Sequence, residues 1–185
     1  MTKVLLLLMS VIVAVSLLGL GADFRSYDAQ RNFAVAVVAD DQEFIDLTPI
    51  QPYAYINTDG KIYFDFSRFN PNYPGGGKGV SPNTTYAFDQ VFKVSNDLWE
   101  NDSGYNGICV QVSASGNVAR VLDLYSPDDV YGHTDPSNAA DSVSMFIEGG
   151  NYSWVGFVIN TNGYTAGNTI DGQITVVANA GNCPE

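Results

Sequence analysis

Beyond its amino-terminal segment the chain changes side-chain character every second residue, a period that a strand satisfies and an amphipathic helix does not. Ile62, Phe64 and Phe66 alternate with Lys61, Tyr63 and Asp65. Tyr86, Phe88, Phe92 and Val94 alternate with Ala87, Asp89 and Lys93, and Val143, Met145 and Ile147 with Ser142, Ser144 and Glu148. β-Branched and aromatic enrichment predicts further strands near Phe33–Val38, Tyr53–Asn57, Val118–Tyr125, Tyr152–Asn160 and Gln173–Asn179. The Tyr152–Asn160 run is apolar on both faces, as in a central strand or part of an interface. Turn-forming clusters divide these runs: Thr58-Asp59-Gly60, Asn70 through Gly79, Asn101 through Gly107, Ser115-Gly116-Asn117, Gly149-Gly150-Asn151 and Thr161-Asn162-Gly163. About nine short strands so punctuated predict an all-β, two-sheet sandwich. A short helix is expected only near Ser137–Asp141.

Lys3 precedes an unbroken apolar run from Val4 to Leu20, closed by Gly21 and Ala22 before Asp23 and Arg25. One basic residue, an apolar core and small exit residues form the layout of a secretory signal peptide, expected over residues 1–21. The run is also long enough for a single membrane anchor, but no basic cluster follows as a stop-transfer signal. Cleavage would leave roughly 160 residues, the size of one domain: a polar segment at 22–32 and the sandwich at 33–185. No membrane association is expected after cleavage.

The chain carries 8 Lys+Arg against 20 Asp+Glu. Such a surface repels nucleic acid, because phosphate binding needs Lys and Arg to replace counterions, and it favours solubility outside the cell. In an oxidising compartment Cys109 and Cys183 are expected to pair rather than leave a free thiol. Cys109 shares the polar face of its strand with Gln111 and Ser113, so the bridge would pin the carboxyl terminus across a sheet. Closing that loop should stabilise by roughly 4 kcal/mol in the chain-entropy model. Three glycosylation sequons, at Asn83, Asn101 and Asn151, lie in or beside turns and accord with export.

The residues offer little for catalysis, and neither an enzyme nor a cofactor is expected. Gly75-Gly76-Gly77-Lys78-Gly79 lacks the Ser or Thr that follows Lys in a phosphate loop, and reads as a flexible loop. His133 is the sole histidine, lies in a polar stretch, and has no Gly-x-Ser-x-Gly elbow to serve. Zinc would need more His or Cys ligands than exist. Asp128, Asp129 and Asp135, or Asp40, Asp41 and Glu43, have the oxygens that calcium takes but not the spacing of an EF-hand, and read as solvated loop carboxylates. Glycoside hydrolysis needs two facing acids in an aromatic cleft, whereas Asp65, Asp89 and Glu148 fall on polar faces. Sugar binding needs less: Trp99, Tyr105, Tyr131 or Trp154 would suffice as stacking surfaces.

The stretch after the signal is the most distinctive. It runs Ala22-Asp23-Phe24-Arg25-Ser26-Tyr27-Asp28-Ala29-Gln30-Arg31-Asn32, then Phe33-Ala34-Val35-Ala36-Val37-Val38, an acidic pair at Asp40-Asp41 and the ending Leu47-Thr48-Pro49. Gly79-Val80-Ser81-Pro82-Asn83 and Tyr86-Ala87-Phe88-Asp89-Gln90-Val91-Phe92-Lys93-Val94-Ser95-Asn96 continue the pattern. The chain resembles a secreted archaeal family known only as a domain of unknown function (DUF1102-like). That family is similar to archaeal bundling-pilus subunits and to TasA- and camelysin-type biofilm fibre proteins. The resemblance implies a jelly-roll-like sandwich that polymerises head-to-tail with itself by donor-strand complementation, in a filament of cell adhesion or biofilm. Residues 22–32 would be the donor, with Phe24, Tyr27, Ala29 and Arg31 along it. Adding such a strand to an exposed edge supplies main-chain hydrogen bonds and pocket specificity together. The same segment could instead pair within its own sandwich. The expected product is an extracellular filament subunit, touching neighbouring filaments or cell-surface glycans; the alternative is a secreted carbohydrate-binding or surface-coat module.

Overall fold

The structure is a computed structural model and describes residues 38–98 and 107–184. The predicted signal segment, the donor segment with Phe24, Tyr27, Ala29 and Arg31, nearly all of the Phe33–Val38 strand, and Trp99, Asn101 and Tyr105 lie outside the described residues. The described part is all-β, with nine strands and no α-helix. In chain order they are β1 (Leu47–Pro49), β2 (Ala54–Ile56), β3 (Ile62–Phe64), β4 (Thr85–Ser95), β5 (Gly107–Gly116), β6 (Leu122–Tyr125), β7 (Ser142–Glu148), β8 (Tyr152–Asn160) and β9 (Gly172–Ala180). Among the described residues no helix is long and apolar enough to cross a membrane.

Two antiparallel sheets pack face to face, ordered β1-β4-β8-β6 and β7-β5-β9, and β2 and β3 form a separate two-stranded ribbon. From β4 to β9 every connection crosses from one sheet to the other. The alternation now has a cause. Val110 and Val112 of β5 and Val143 and Met145 of β7 meet Val94, Val155, Phe157 and Leu124 of the first sheet in one buried core, as the inner faces of a sandwich must. The ribbon turns at Gly60, whose φ of +80° is open to glycine at little cost. Its Phe64 packs on Phe92 and Phe157, at 5.1 Å between ring centroids in each case.

β8 is a central strand, as its two-sided apolar pattern predicts. Elsewhere local chemistry overrides the pattern. Only Leu122–Tyr125 of the expected Val118–Tyr125 strand is extended; Val118–Arg120 form a 3₁₀ turn, held by Val118 N–H donating to Asp171 O at 3.0 Å. No helix forms at Ser137–Asp141. There the Asp135 carboxylate accepts the Ser137 N–H at 2.7 Å, while Ala140 pairs with Leu124.

Candidate functional site

A sandwich of two open sheets has four outer edges, and each presents unpaired N–H and C=O groups unless something covers it. β1 is three residues long and ends at Pro49, after which the N–H groups of Ile50 and Gln51 both turn back to Val91 O at 3.1 Å. On β6, Leu124 and Ala140 exchange both backbone bonds. β7 is covered by the loop after β6: Val130 N–H donates to Ser144 O at 2.8 Å, and Ser144 N–H to Asp129 Oδ1 at 2.6 Å. β9 is different. It runs nine residues, contains no proline, and pairs only with β5 among the described residues.

Burial follows the same division. The inward residues of β7 (Val143, Met145 and Ile147) are fully buried, while those of β9 (Ile174, Val176 and Ala178) are only partly covered. The topology accounts for this. β7 lies over β6, so β9 lies toward the β1 side of the sandwich, where the second sheet has one strand fewer than the first. Partly buried residues of other elements fringe the core as well: Phe64 and Phe66 of the ribbon and its exit, and Phe88 of β4. Phe66 is 4.8 Å from Phe88 between centroids and 4.8 Å from Tyr53, stacked. The result is a long backbone edge flanked by half-covered apolar side chains.

The outer end of β9 is tied down. Cys109 and Cys183 form a disulfide with Cα atoms 4.8 Å apart, closing a separation of 74 residues. Tyr131 donates its hydroxyl to Pro184 O. Beside the bridge a shallow, mostly apolar depression of about 570 Å³ is lined by Val130, Tyr131, Phe146, Asn182, Cys183 and Pro184.

The polar candidates are committed to architecture. The Asp129 side chain is fully shielded, and its oxygens accept the N–H groups of Tyr131, His133 and Ser144 at 3.0, 2.8 and 2.6 Å. It thereby folds the loop that covers β7. His133 Nδ1 lies 3.0 Å from Asp129 Oδ2 but outside hydrogen-bonding direction. The nearby hydroxyls of Ser126 and Ser153 are buried and bond to each other at 2.9 Å, and Ser153 donates to Asp128 Oδ2 at 2.6 Å. Asp128, Asp129 and Asp135 thus serve separate bonds, Asp135 holding the Ser137 turn. Asp40 accepts the Ile62 N–H at 2.8 Å. Burial, then the charges of Asp40 and Asp46, push the Glu43 carboxyl above the ordinary carboxylate range. Among the described residues no three His, Cys, Asp or Glu gather to hold a metal ion.

On the outer face of the first sheet, Tyr152 and Trp154 meet edge to face at 5.2 Å, and Lys93 Nζ lies 5.5 Å from the Tyr152 ring centre. Tyr131 stands apart from them, on the β7 loop. Of the sequons, Asn83 is an exposed residue before β4 and Asn151 one before β8.

Fold and edges together define a disulfide-closed antiparallel sandwich domain with one long edge, β9, unpaired on its outer side among the described residues. The chain belongs to the family described as "Protein of unknown function (DUF1102)", which matches residues 37–183. No curated protein matches it significantly.

Proposed function

We propose that this chain is a secreted structural subunit of an extracellular filament, polymerising head-to-tail with copies of itself by strand donation. Residues 22–32 of one copy add to the β9 edge of the next. The observation that carries the reading is the contrast between β9 and the other three edges. Among the described residues β9 alone keeps a long, proline-free backbone edge beside half-covered Ile174, Val176 and Ala178, the combination that strand addition uses. Donor and acceptor are different surfaces, so the contact is heterologous and extends without closing. Negative-stain microscopy and light scattering test it on chains beginning at residue 22 and at residue 33. Fibres from the longer chain alone support strand donation. Compact monomers from both would sink it. Val176→Lys, which puts a charge among the half-covered side chains of that edge, should abolish fibres, and a thermal melt of the monomer checks that the domain still folds.

A second reading, glycan binding, draws on the exposed Tyr152, the neighbouring Trp154 and the Lys93 ammonium on the outer face of the first sheet. Micromolar binding on a glycan array, lost in Trp154→Ala, would favour it.

A further inference from the structure

An Asn-x-Ser/Thr sequon offers two groups to a glycosyl-transferring enzyme: the asparagine amide nitrogen as acceptor, and a hydroxyl two residues on for recognition. The two described sequons present these groups in opposite states. Asn83 is exposed, with φ of +49°, and its Oδ1 accepts the Gly163 N–H at 2.9 Å. No described residue accepts a hydrogen bond from its Nδ2. Thr85, its recognition residue, is also exposed, and its hydroxyl has no described partner.

Asn151 is held differently. Its Nδ2 donates to Glu148 Oε2 at 3.3 Å, and its carbonyl accepts the Asn96 N–H at 2.9 Å. Ser153, its recognition residue, is 1% exposed. The Ser153 hydroxyl is consumed inside the domain by Asp128 and Ser126. Reaching it requires lifting the start of β8, which is paired there with β4 in the middle of the first sheet.

We propose that Asn83 is an N-glycan site presented by the folded domain itself, whereas Asn151 can be modified only before β8 docks. The donor class is an oligosaccharide linked through pyrophosphate to a polyprenol. Asn83 Nδ2 forms a bond to the anomeric carbon, and the anomeric carbon–oxygen bond to phosphate breaks. The lipid pyrophosphate leaves with that electron pair, and the amide nitrogen gives up one proton. The glycan would stand at the end of the first sheet where β4 begins and β8 ends, anchored by the Asn83–Gly163 contact.

The test is a transfer assay on the full chain, oxidised and folded, and in parallel on the chain unfolded with its disulfide reduced. Each is given a purified oligosaccharyltransferase and a polyprenyl-pyrophosphate oligosaccharide, and site occupancy is read by glycopeptide mass spectrometry. The folded chain should carry glycan at Asn83 in at least about tenfold excess over Asn151, because exposing Ser153 requires opening a core strand. In the unfolded chain the two sites should approach parity. Thr85→Ala, an exposed change, should remove occupancy at Asn83 and leave Asn151 as it was. Equal occupancy of both sites in the folded chain, or no transfer to Asn83 until the chain is unfolded, would overturn the proposal.

Discussion

Gly156 lies mid-strand in β8, where a change to alanine ordinarily stabilises by about 0.5–1 kcal/mol through lost backbone entropy in the unfolded chain. Here the sign should reverse. Tyr125, paired with Gly156 on β6, lays its ring across the bare backbone of β8 and donates its hydroxyl to Asp89 Oδ1 on β4. One side chain thus bridges three adjacent strands on the outer face of the first sheet. A Cβ on residue 156 would overlap the Tyr125 ring carbons Cζ and Cε1 and stand 2.6 Å from its hydroxyl oxygen, so the ring must leave. Tyr125 is only 6% exposed. Losing the buried ring costs about 1.5–3 kcal/mol, and losing a hydrogen bond to a carboxylate costs about 1.5–3 kcal/mol. Set against the backbone gain and some relaxation, Gly156→Ala should destabilise by about 2–4 kcal/mol.

Guanidinium denaturation followed by tryptophan fluorescence measures this directly. The decisive comparison is a double-mutant cycle. In a Tyr125→Ala background the ring is already gone, and Gly156→Ala should become neutral or slightly stabilising. Tyr125→Phe removes only the hydroxyl and should cost about half the full effect. If Gly156→Ala changes stability by less than about 0.5 kcal/mol, or costs as much without Tyr125 as with it, the assignment of this glycine to the tyrosine's passage is wrong.

Three further outcomes follow from the same geometry. Replacing Cys109 and Cys183 by serine should cost about 4 kcal/mol, the loop-closure value for the 74-residue separation; a matching drop should appear when the native protein is reduced, measured by denaturant midpoint. Burial, and then the bond to Asp89 and the charges of Asp89 and Asp135, push the Tyr125 phenol well above the ordinary tyrosine range. The folded state therefore holds that proton more tightly than the unfolded, and the associated stability is full below about pH 10 and falls as pH rises beyond it. Ultraviolet titration should find one phenol ionising only with alkaline unfolding, and Tyr125→Phe should remove that component. Burial and the neighbouring Asp141 raise the Asp123 carboxyl, so its charged form opposes folding; Asp123→Asn should raise the melting temperature at pH 7, with the gain vanishing below about pH 4, where both states are protonated.

Face assignment was legible because the period of two reports which side of a strand is buried, whatever its neighbours. It survives even the irregularity in β4. Between Phe88 and Phe92 that strand advances four residues while its partner advances two, from Phe157 to Val155, and an even surplus leaves the same faces inward. Gln90, at φ of +52° inside that bulge, left no mark in the pattern. β1 was missed because three residues ending in proline carry too little alternation to detect. The ribbon became a third sheet because pairing partners, unlike faces, are set by tertiary register. Phe146 escaped notice for a related reason: it lies on the outer face of β7, its ring reaching to where a side chain on Gly107 would be, 2.8 Å from that glycine's ideal Cβ. The Cys109–Cys183 bridge was readable from two cysteines and a strand face; the open edge of β9 was not, since alternation never says which strand stands last in a sheet.

The position of the bridge bears on what β9 is suited to do. An edge strand held by one ladder can peel from its free end, breaking bonds one at a time, whereas a strand loaded along its length breaks them together. Among the described residues β9 is the last strand and pairs only with β5, in a register running from Gly172 opposite Gly116 to Ala180 opposite Ile108. Peeling from its carboxyl end would begin at Ala180, and Cys183 is bonded to Cys109 on β5 just beyond that point. Under strand donation a neighbour's strand adds to the far side of β9, so pull on the filament reaches the domain through that single ladder. A covalent tie at the peeling end converts that load toward shear. Reduced or Cys183→Ser subunits should on this account still form fibres, because the edge is intact, but the fibres should break at lower force and shed subunits faster on dilution.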